Sequence, residues 1–233
     1  MSTRDAVSEL TVETVAGMMD YAVLALDHTF RDIERACQEA TQYGIATVCL
    51  APYAVGYAAK LLRGTGVKIC GTAGIPLGYS GLSAKANEAR TSIEAGAGEI
   101  EMVINLVAMK SGRYADVQGE IEALRKLATG LTLKVTLECC YLTDSEKARA
   151  CKLAVDAGAD CVKTHTGFGR GGATVRDVHL LKHVAGSRAE IEACGGLTKF
   201  KQVSDMMHAG ATRIGTDNAV ALIQDFYKWE TAS

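Results

Sequence analysis

Eight short apolar runs recur along the 233 residues, and each is followed by a stretch with helical spacing. The runs lie at 22–26, 45–50, 67–71, 99–104, 132–137, 160–164, 189–193 and 212–215. Each is short and mostly apolar or β-branched, as strands buried on both faces of a parallel sheet require. Helical patterns fill 31–42, 53–62, 84–95, 114–128, 144–157, 174–185, 199–209 and 218–228. Eight such repeats predict an α/β protein, a single (β/α)8 TIM barrel over residues 1–233. A doubly wound open sheet shares the alternation, but the near-even count of eight favours closure. Local punctuation agrees: Thr143 followed by Glu146 predicts a capping box. The Ala-Gly steps in AGAGEI, AGADCV and AGATRI predict helix ends that use a left-handed glycine.

Charge narrows the partners. Lys and Arg total 25 against 27 Asp and Glu, a net charge of -2, which gives no electrostatic reason to bind nucleic acid or an anionic membrane. No apolar run approaches the ~18 residues of a spanning helix, and MSTRDAVSEL lacks the apolar core of a secretory leader. The eight cysteines show no CxxC pair, so a reducing, cytoplasmic setting is expected. Cys49, Cys70 and Cys161 read as small buried hydrophobes. No Cys/His spacing predicts a metal site.

In a barrel, the C-terminal strand ends face the active site. Those ends bring up Asp27-His28-Thr29, Glu101 and Asn105, Lys134 and Glu138, Lys163 and His165, Glu192, and Asp217. Lys163 stands among apolar and small residues in DCVKTHTG, where a lysine is rare unless paired or functional. Two readings follow: a structural ion pair with Glu101 or Glu192, or a Schiff-base nucleophile toward a carbonyl. Gly167, Gly169, Gly171 and Gly172, then Gly195-Gly196, then Gly215-Thr216 follow three adjacent strands. They suit either a phosphate cradle or plain turn geometry. His28 and His165 are acid-base or hydrogen-bonding candidates. His179, His183 and His208 fall on helical patterns and are expected to face solvent.

The same residues carry a family resemblance. VCLAP at 48–52, GIPLG at 74–78, GAGEIEMVIN at 96–105, LKVTLECCYLTDSEK at 133–147, VKTHTGFGRGGAT at 162–174, CGG at 194–196 and GATRIGT at 210–216 resemble the deoxyribose-phosphate aldolases. The resemblance implies a class I aldolase on a (β/α)8 barrel, without metal or organic cofactor. It implies a Schiff base on Lys163. It makes Lys163, Glu101, Glu192 and Lys134 the expected catalytic set. The expected substrate-binding set is Asp27, Thr29, Cys49, Asn105, His165, Thr166, Gly167, Gly195, Gly196, Gly215, Asp217 and Asn218.

The departures from the family pattern are chemical. Glu101 stands where the family has an aspartate. Glu192 stands where it has a second lysine. Asp217-Asn218 replace a Ser-Ser pair that holds the substrate phosphate, and the stretch after Asp-His-Thr is shortened. A carboxylate beside Lys163 raises its pKa, whereas a cation lowers it. A carboxylate in a phosphate cradle repels a dianion. The expected substrate is therefore a non-phosphorylated or amine-bearing carbonyl compound. The alternatives are acid-base isomerisation, cyclisation or elimination on a sugar-like ligand, authentic 2-deoxyribose 5-phosphate cleavage, or a binding protein that has lost catalysis. A monomer or homodimer is expected.

Overall fold

The computed structural model describes residues 10–232; the segment read for a secretory leader lies almost wholly outside them. Eight parallel strands close into a barrel in chain order. They are β1 Met19–Val23, β2 Thr47–Leu50, β3 Lys68–Ala73, β4 Glu99–Val103, β5 Thr132–Thr136, β6 Cys161–Lys163, β7 Glu190–Cys194 and β8 Arg213–Thr216. The helices are α1 Val12–Gly17, α2 Phe30–Tyr43, α3 Pro52–Leu61, α4 Leu82–Glu94, α5 Leu106–Lys110, α6 Tyr114–Leu127, α7 Asp144–Asp156, α8 Val175–Ala185, α9 Phe200–His208 and α10 Ala219–Ala232. The open doubly wound sheet is excluded by the pairing of β1 with β8, Met19 against Ile214 and Asp20 against Gly215.

Local chemistry sets the element ends. Thr143 and Glu146 form the capping box at the start of α7, and Pro52 opens α3 at a position where its missing N–H costs nothing. Gly44 closes α2 in the left-handed conformation. Outward-facing Val48, Ile100, Val135, Val162, Ile191 and Ile214 pack under the helices and are fully buried. Phe200 meets Phe226 at 4.6 Å between ring centroids, which ties α10 to α9.

One boundary needs correction. The sequence placed the first strand at 22–26, but the strand is Met19–Val23. AVLAL is the more apolar run, yet Leu24 and Ala25 line a cavity at the barrel mouth and Leu26 is 98% exposed. The strand instead includes a charged residue, Asp20, which is 1% exposed. Asp27, His28 and Thr29 therefore belong to an exposed connection and do not lie on the strand end.

Candidate active site

Barrel interiors are usually filled by branched apolar side chains. Here the strands aim charges inward. Asp20, Glu99, Glu101, Glu192, Lys134 and Lys163 are all buried, and Arg213 joins them with a side chain 12% exposed. Four carboxylates thus face three cations inside the barrel, and a fourth cation, the exposed Lys68, reaches Glu99 at 3.5 Å. Buried charge persists only when paired.

The half of the cluster toward the N-terminal strand ends is densely paired. Lys134 bonds Asp20, lies 2.7 Å from Glu99 Oε2 and 3.5 Å from Glu192 Oε2. Arg213 reaches Asp20 at 2.7 Å and Glu99 at 3.1 Å. Burial would raise the Asp20 carboxyl, but Lys134, Glu192 and Arg213 outweigh it and hold the pKa well below the ordinary range. Burial would lower the Lys134 pKa; Glu192, Asp20 and Glu99 overcome that and raise it.

Lys163 closes β6 at the other end of the cluster. Register sets it beside Thr136 of β5 and Glu192 of β7. Its ammonium donates to Glu101 Oε2 at 2.8 Å and lies 2.9 Å from Glu192 Oε1. Thr136 donates to the other Glu101 oxygen at 2.7 Å, and the Cys49 thiol approaches Glu101 at 3.6 Å. Burial favours a neutral Lys163 amine; its neighbours, the Cys194 sulfur and then the Glu101 and Glu192 carboxylates, win and hold its pKa above the ordinary value.

Glu192 bridges the two lysines. Its contacts with them are ionic and off hydrogen-bond alignment, so neither oxygen has a hydrogen bond. Burial, and then the charge of Asp20, push its pKa up to about 7. A neutral Glu192 can donate toward Asp20, while an ionised one strengthens its hold on Lys163. Gly215 makes room for this side chain, because a Cβ there would stand 2.6 Å from Glu192 Oε1.

Two depressions open at the mouth. One, of about 540 Å³, is bordered by the chain after β1, β6, β7 and β8. It gathers Thr166, Gly167, Gly195, Gly196, Gly215, Asp217 and Asn218 from the expected binding set, with His28. Asp217 is exposed there and accepts from the Asn218 amide at 3.0 Å. The other, of about 710 Å³, lies over the loops after β3, β4, β5 and β6. Phe168 lines both. Beneath it Glu138 accepts from the Thr166 hydroxyl at 2.5 Å.

Other expected residues have different surroundings. Asp27 is exposed at the connection after β1. Thr29 is tied to the start of α2, donating to Asp32 at 2.7 Å. Asn105 caps α5, accepting from Ala108 N at 3.1 Å. His165 is 1% exposed, and neither ring nitrogen has a hydrogen bond; it is not among the residues bordering the two depressions. Burial lowers its pKa, so the ring is neutral near pH 7. His179, His183 and His208 are exposed as expected.

Sequence reasoning missed Asp20, Arg213 and Lys85. Lys85 is fully buried on α4, 2.6 Å from Glu120 and donating to the Val103 carbonyl at 2.9 Å. The fold also collects potential metal ligands without any spacing in the chain. Cys49, Cys70 and Glu101 form one group and Glu138, Cys140 and His165 another, with ligand atoms within 4.8 Å of one another in each. Glu101 and Glu138 are already engaged by Lys163, Thr136 and Thr166.

A barrel with a buried lysine closing its sixth strand can be compared with known proteins. The DeoC/LacD family aldolase description matches residues 14–223. The chain belongs to this aldolase family. It is an enzyme of the class I aldolase type, a lyase. A deoxyribose-phosphate aldolase of Carboxydothermus hydrogenoformans is 45% identical over 220 residues, 93% of this chain and 96% of that one. One from a Geobacillus strain is 46% identical over 211 residues, 90% and 95% of the two chains. The tetrameric deoxyribose phosphate aldolase of Aeropyrum pernix superposes with a TM-score of 0.91 at 31% identity, covering 97% of each chain. No helix of the described residues of this aldolase is long and apolar enough to cross a membrane.

Proposed function

We propose that this aldolase makes and breaks a C–C bond through a Schiff base on Lys163, with a non-phosphorylated or amine-bearing carbonyl substrate. The observation that carries the reading is one buried amine at the C-terminal end of β6, 2.8 Å from Glu101 and 2.9 Å from Glu192. An ammonium is not a nucleophile; the amine must first lose a proton. Both carboxylates are within reach to take it, and a low-dielectric interior makes the neutral pair accessible. The amine then adds to the carbonyl carbon, and loss of water leaves the imine. Glu101, held by Thr136, shuttles the proton to and from the carbon next to the imine. Lys134 does not touch the reacting atoms in this scheme; it is a positioning residue that acts through Glu192.

The substrate class rests on Asp217. Its carboxylate borders the depression over β7 and β8, where a phosphate dianion would meet like charge. A hydroxyl or ammonium group suits it better. All eight cysteines are free thiols, in keeping with a reducing cytoplasmic setting. For a homodimer, exposed Phe30 and Tyr53, with the half-buried Tyr57 beneath Phe30, form the favoured face on α2 and α3.

Borohydride reduction in the presence of acetaldehyde tests the reading. The expected product is a peptide carrying an ethyl group on Lys163, read by mass spectrometry. Lys163→Arg should abolish both adduct and turnover. Turnover that survives Lys163→Arg would instead favour acid-base chemistry by Glu101 and Glu192.

A further inference from the structure

The larger depression has a different character from the one over β7 and β8. Leu77, Tyr79, Val107, Tyr141 and Phe168 stand around it, and Val107 is 63% exposed, Tyr79 57% and Leu77 54%. These side chains come from four successive loops at the catalytic end of the barrel. Apolar surface collected this way marks a binding site. Its volume of about 710 Å³ lies within the range of small-molecule pockets.

Two observations identify the occupant. The first is position, at the C-terminal strand ends where β6 carries Lys163. Buried Glu138 borders the cleft, and its carboxylate is held by Thr166, three residues beyond Lys163. Phe168 is the wall shared with the other depression. A molecule that spans the two depressions would lay one arm on each side of Phe168. The second is charge. Exposed Arg170 lies over the Tyr141 ring, 4.9 Å from its centroid, and donates to the Cys140 carbonyl at 3.2 Å. It has no carboxylate partner among the described residues, whereas Lys110 across the cleft is satisfied by Glu146 at 2.8 Å. The rim thus offers an aromatic face beside an unneutralised guanidinium.

We infer that this cleft binds the arm of an aromatic acceptor aldehyde, with a carboxylate on the ring directed to Arg170. The inference rests on the Lys163 reading and specifies its substrate. The enamine carbon of the Lys163-bound donor bonds to the aldehyde carbon. The C=O π pair moves to oxygen, which takes a proton, and water addition to the imine releases the β-hydroxy aldehyde and the free amine. The aryl arm lies among the tyrosines and Phe168, stabilised by burial and ring contacts, while Arg170 meets its far end.

Calorimetry with para-(hydroxymethyl)benzoate, an unreactive stand-in, tests the cleft without the chemistry. It should bind the wild-type protein about tenfold more tightly than the para-trimethylammonium analogue. Val107→Asp should weaken the carboxylated ligand about tenfold, and Arg170→Gln should erase the preference for it. In the aldol reaction with acetaldehyde, both variants should raise KM for para-carboxybenzaldehyde and leave acetaldehyde trapping on Lys163 unchanged. Binding that ignores both substitutions overturns the inference. So does a Val107→Asp protein that keeps its affinity while sedimentation shows a wild-type dimer falling to monomer, which would make the cleft an interface between copies. Failed trapping in the wild type with intact, substitution-sensitive binding would refute the Schiff base and leave the subsite standing.

Discussion

Lys134 and Lys163 are both buried lysines on neighbouring strands, yet their surroundings differ in kind. Lys134 is enclosed by Asp20, Glu99 and Glu192, and Arg213 reinforces two of those acids. Lys163 has two carboxylates and closes β6 at its C-terminal end, the end on which both depressions lie. The first arrangement leaves the amine nothing to do but hold charge. The second lets it exchange a proton without separating charge over distance. Burial alone therefore does not mark a reactive lysine; the number of fixed counter-charges and the nearness of the opening do.

The sharpest way to break this comparison is to exchange the roles of activity and stability. Lys163→Arg keeps a cation between Glu101 and Glu192 but removes the nucleophile. A loss of about 10³-fold or more in kcat is expected, with the melting temperature shifted only slightly, read by steady-state kinetics and thermal unfolding. Lys134→Met should do the reverse. It leaves Asp20 with Arg213 and Glu99 with Arg213 and the exposed Lys68 at 3.5 Å, and removing one partner of a buried ionic cluster costs about 3–5 kcal/mol. For a barrel of this size that is on the order of 10 °C in melting temperature, while borohydride still labels Lys163 in the surviving folded protein. A Lys134→Met protein of wild-type stability would end the distinction.

Glu192 touches both lysines, so its titration sharpens the contrast. Its pKa is pushed up to about 7 from an ordinary 4.5 by burial and by Asp20. Between those values the folded protein keeps a proton that the unfolded chain has lost. The contribution to stability is therefore full below the unfolded pKa and disappears as pH rises through the folded one. The melting temperature should fall from about pH 4.5 toward pH 7, and Glu192→Gln should flatten that slope. The Asp20 contribution runs the other way, since its lowered pKa gives stability that is lost only in stronger acid. Trapping on Lys163 should accelerate as Glu192 ionises and becomes a proton acceptor, and this limb should also vanish in Glu192→Gln.

How much of this was legible in the chain depended on the range of the interaction. The eightfold alternation, the α7 capping box and Lys163, Glu101 and Glu192 all sit in local patterns that strand periodicity exposes. Asp20 was hidden because the more apolar run beside it drew the strand boundary past it. Arg213 and Glu99 are 114 residues apart, so only barrel closure brings them together. Lys85 fell in a helical pattern, where a lysine reads as solvated until Glu120 and Val103 are seen around it. Thr29 and Asn105 looked like strand-end ligands because capping residues occupy the same places after a strand. The apolar cleft had no signature, since its walls come from four separate loops.

The smallest expected effect concerns the mouth. Asp217 is exposed and already holds the Asn218 amide at 3.0 Å, so its repulsion of a dianion is screened by water and salt. Asp217→Ser removes one negative charge and supplies a hydroxyl donor beside the Gly195-Gly196 turn. KM for a phosphorylated aldehyde should fall about tenfold, ~1.4 kcal/mol, and the gain should shrink as ionic strength rises. Lys134 and Lys163 should be indifferent to this change: melting temperature, its pH slope and acetaldehyde trapping on Lys163 should all match the wild type. A phosphorylated aldehyde used equally well before and after the substitution, at low and high salt, would show that Asp217 does not discriminate. Phosphate would then be read by the backbone amides of the glycine turns, and the chemical departure of this chain from the family pattern would lie at Glu101 and Glu192, on either side of Lys163.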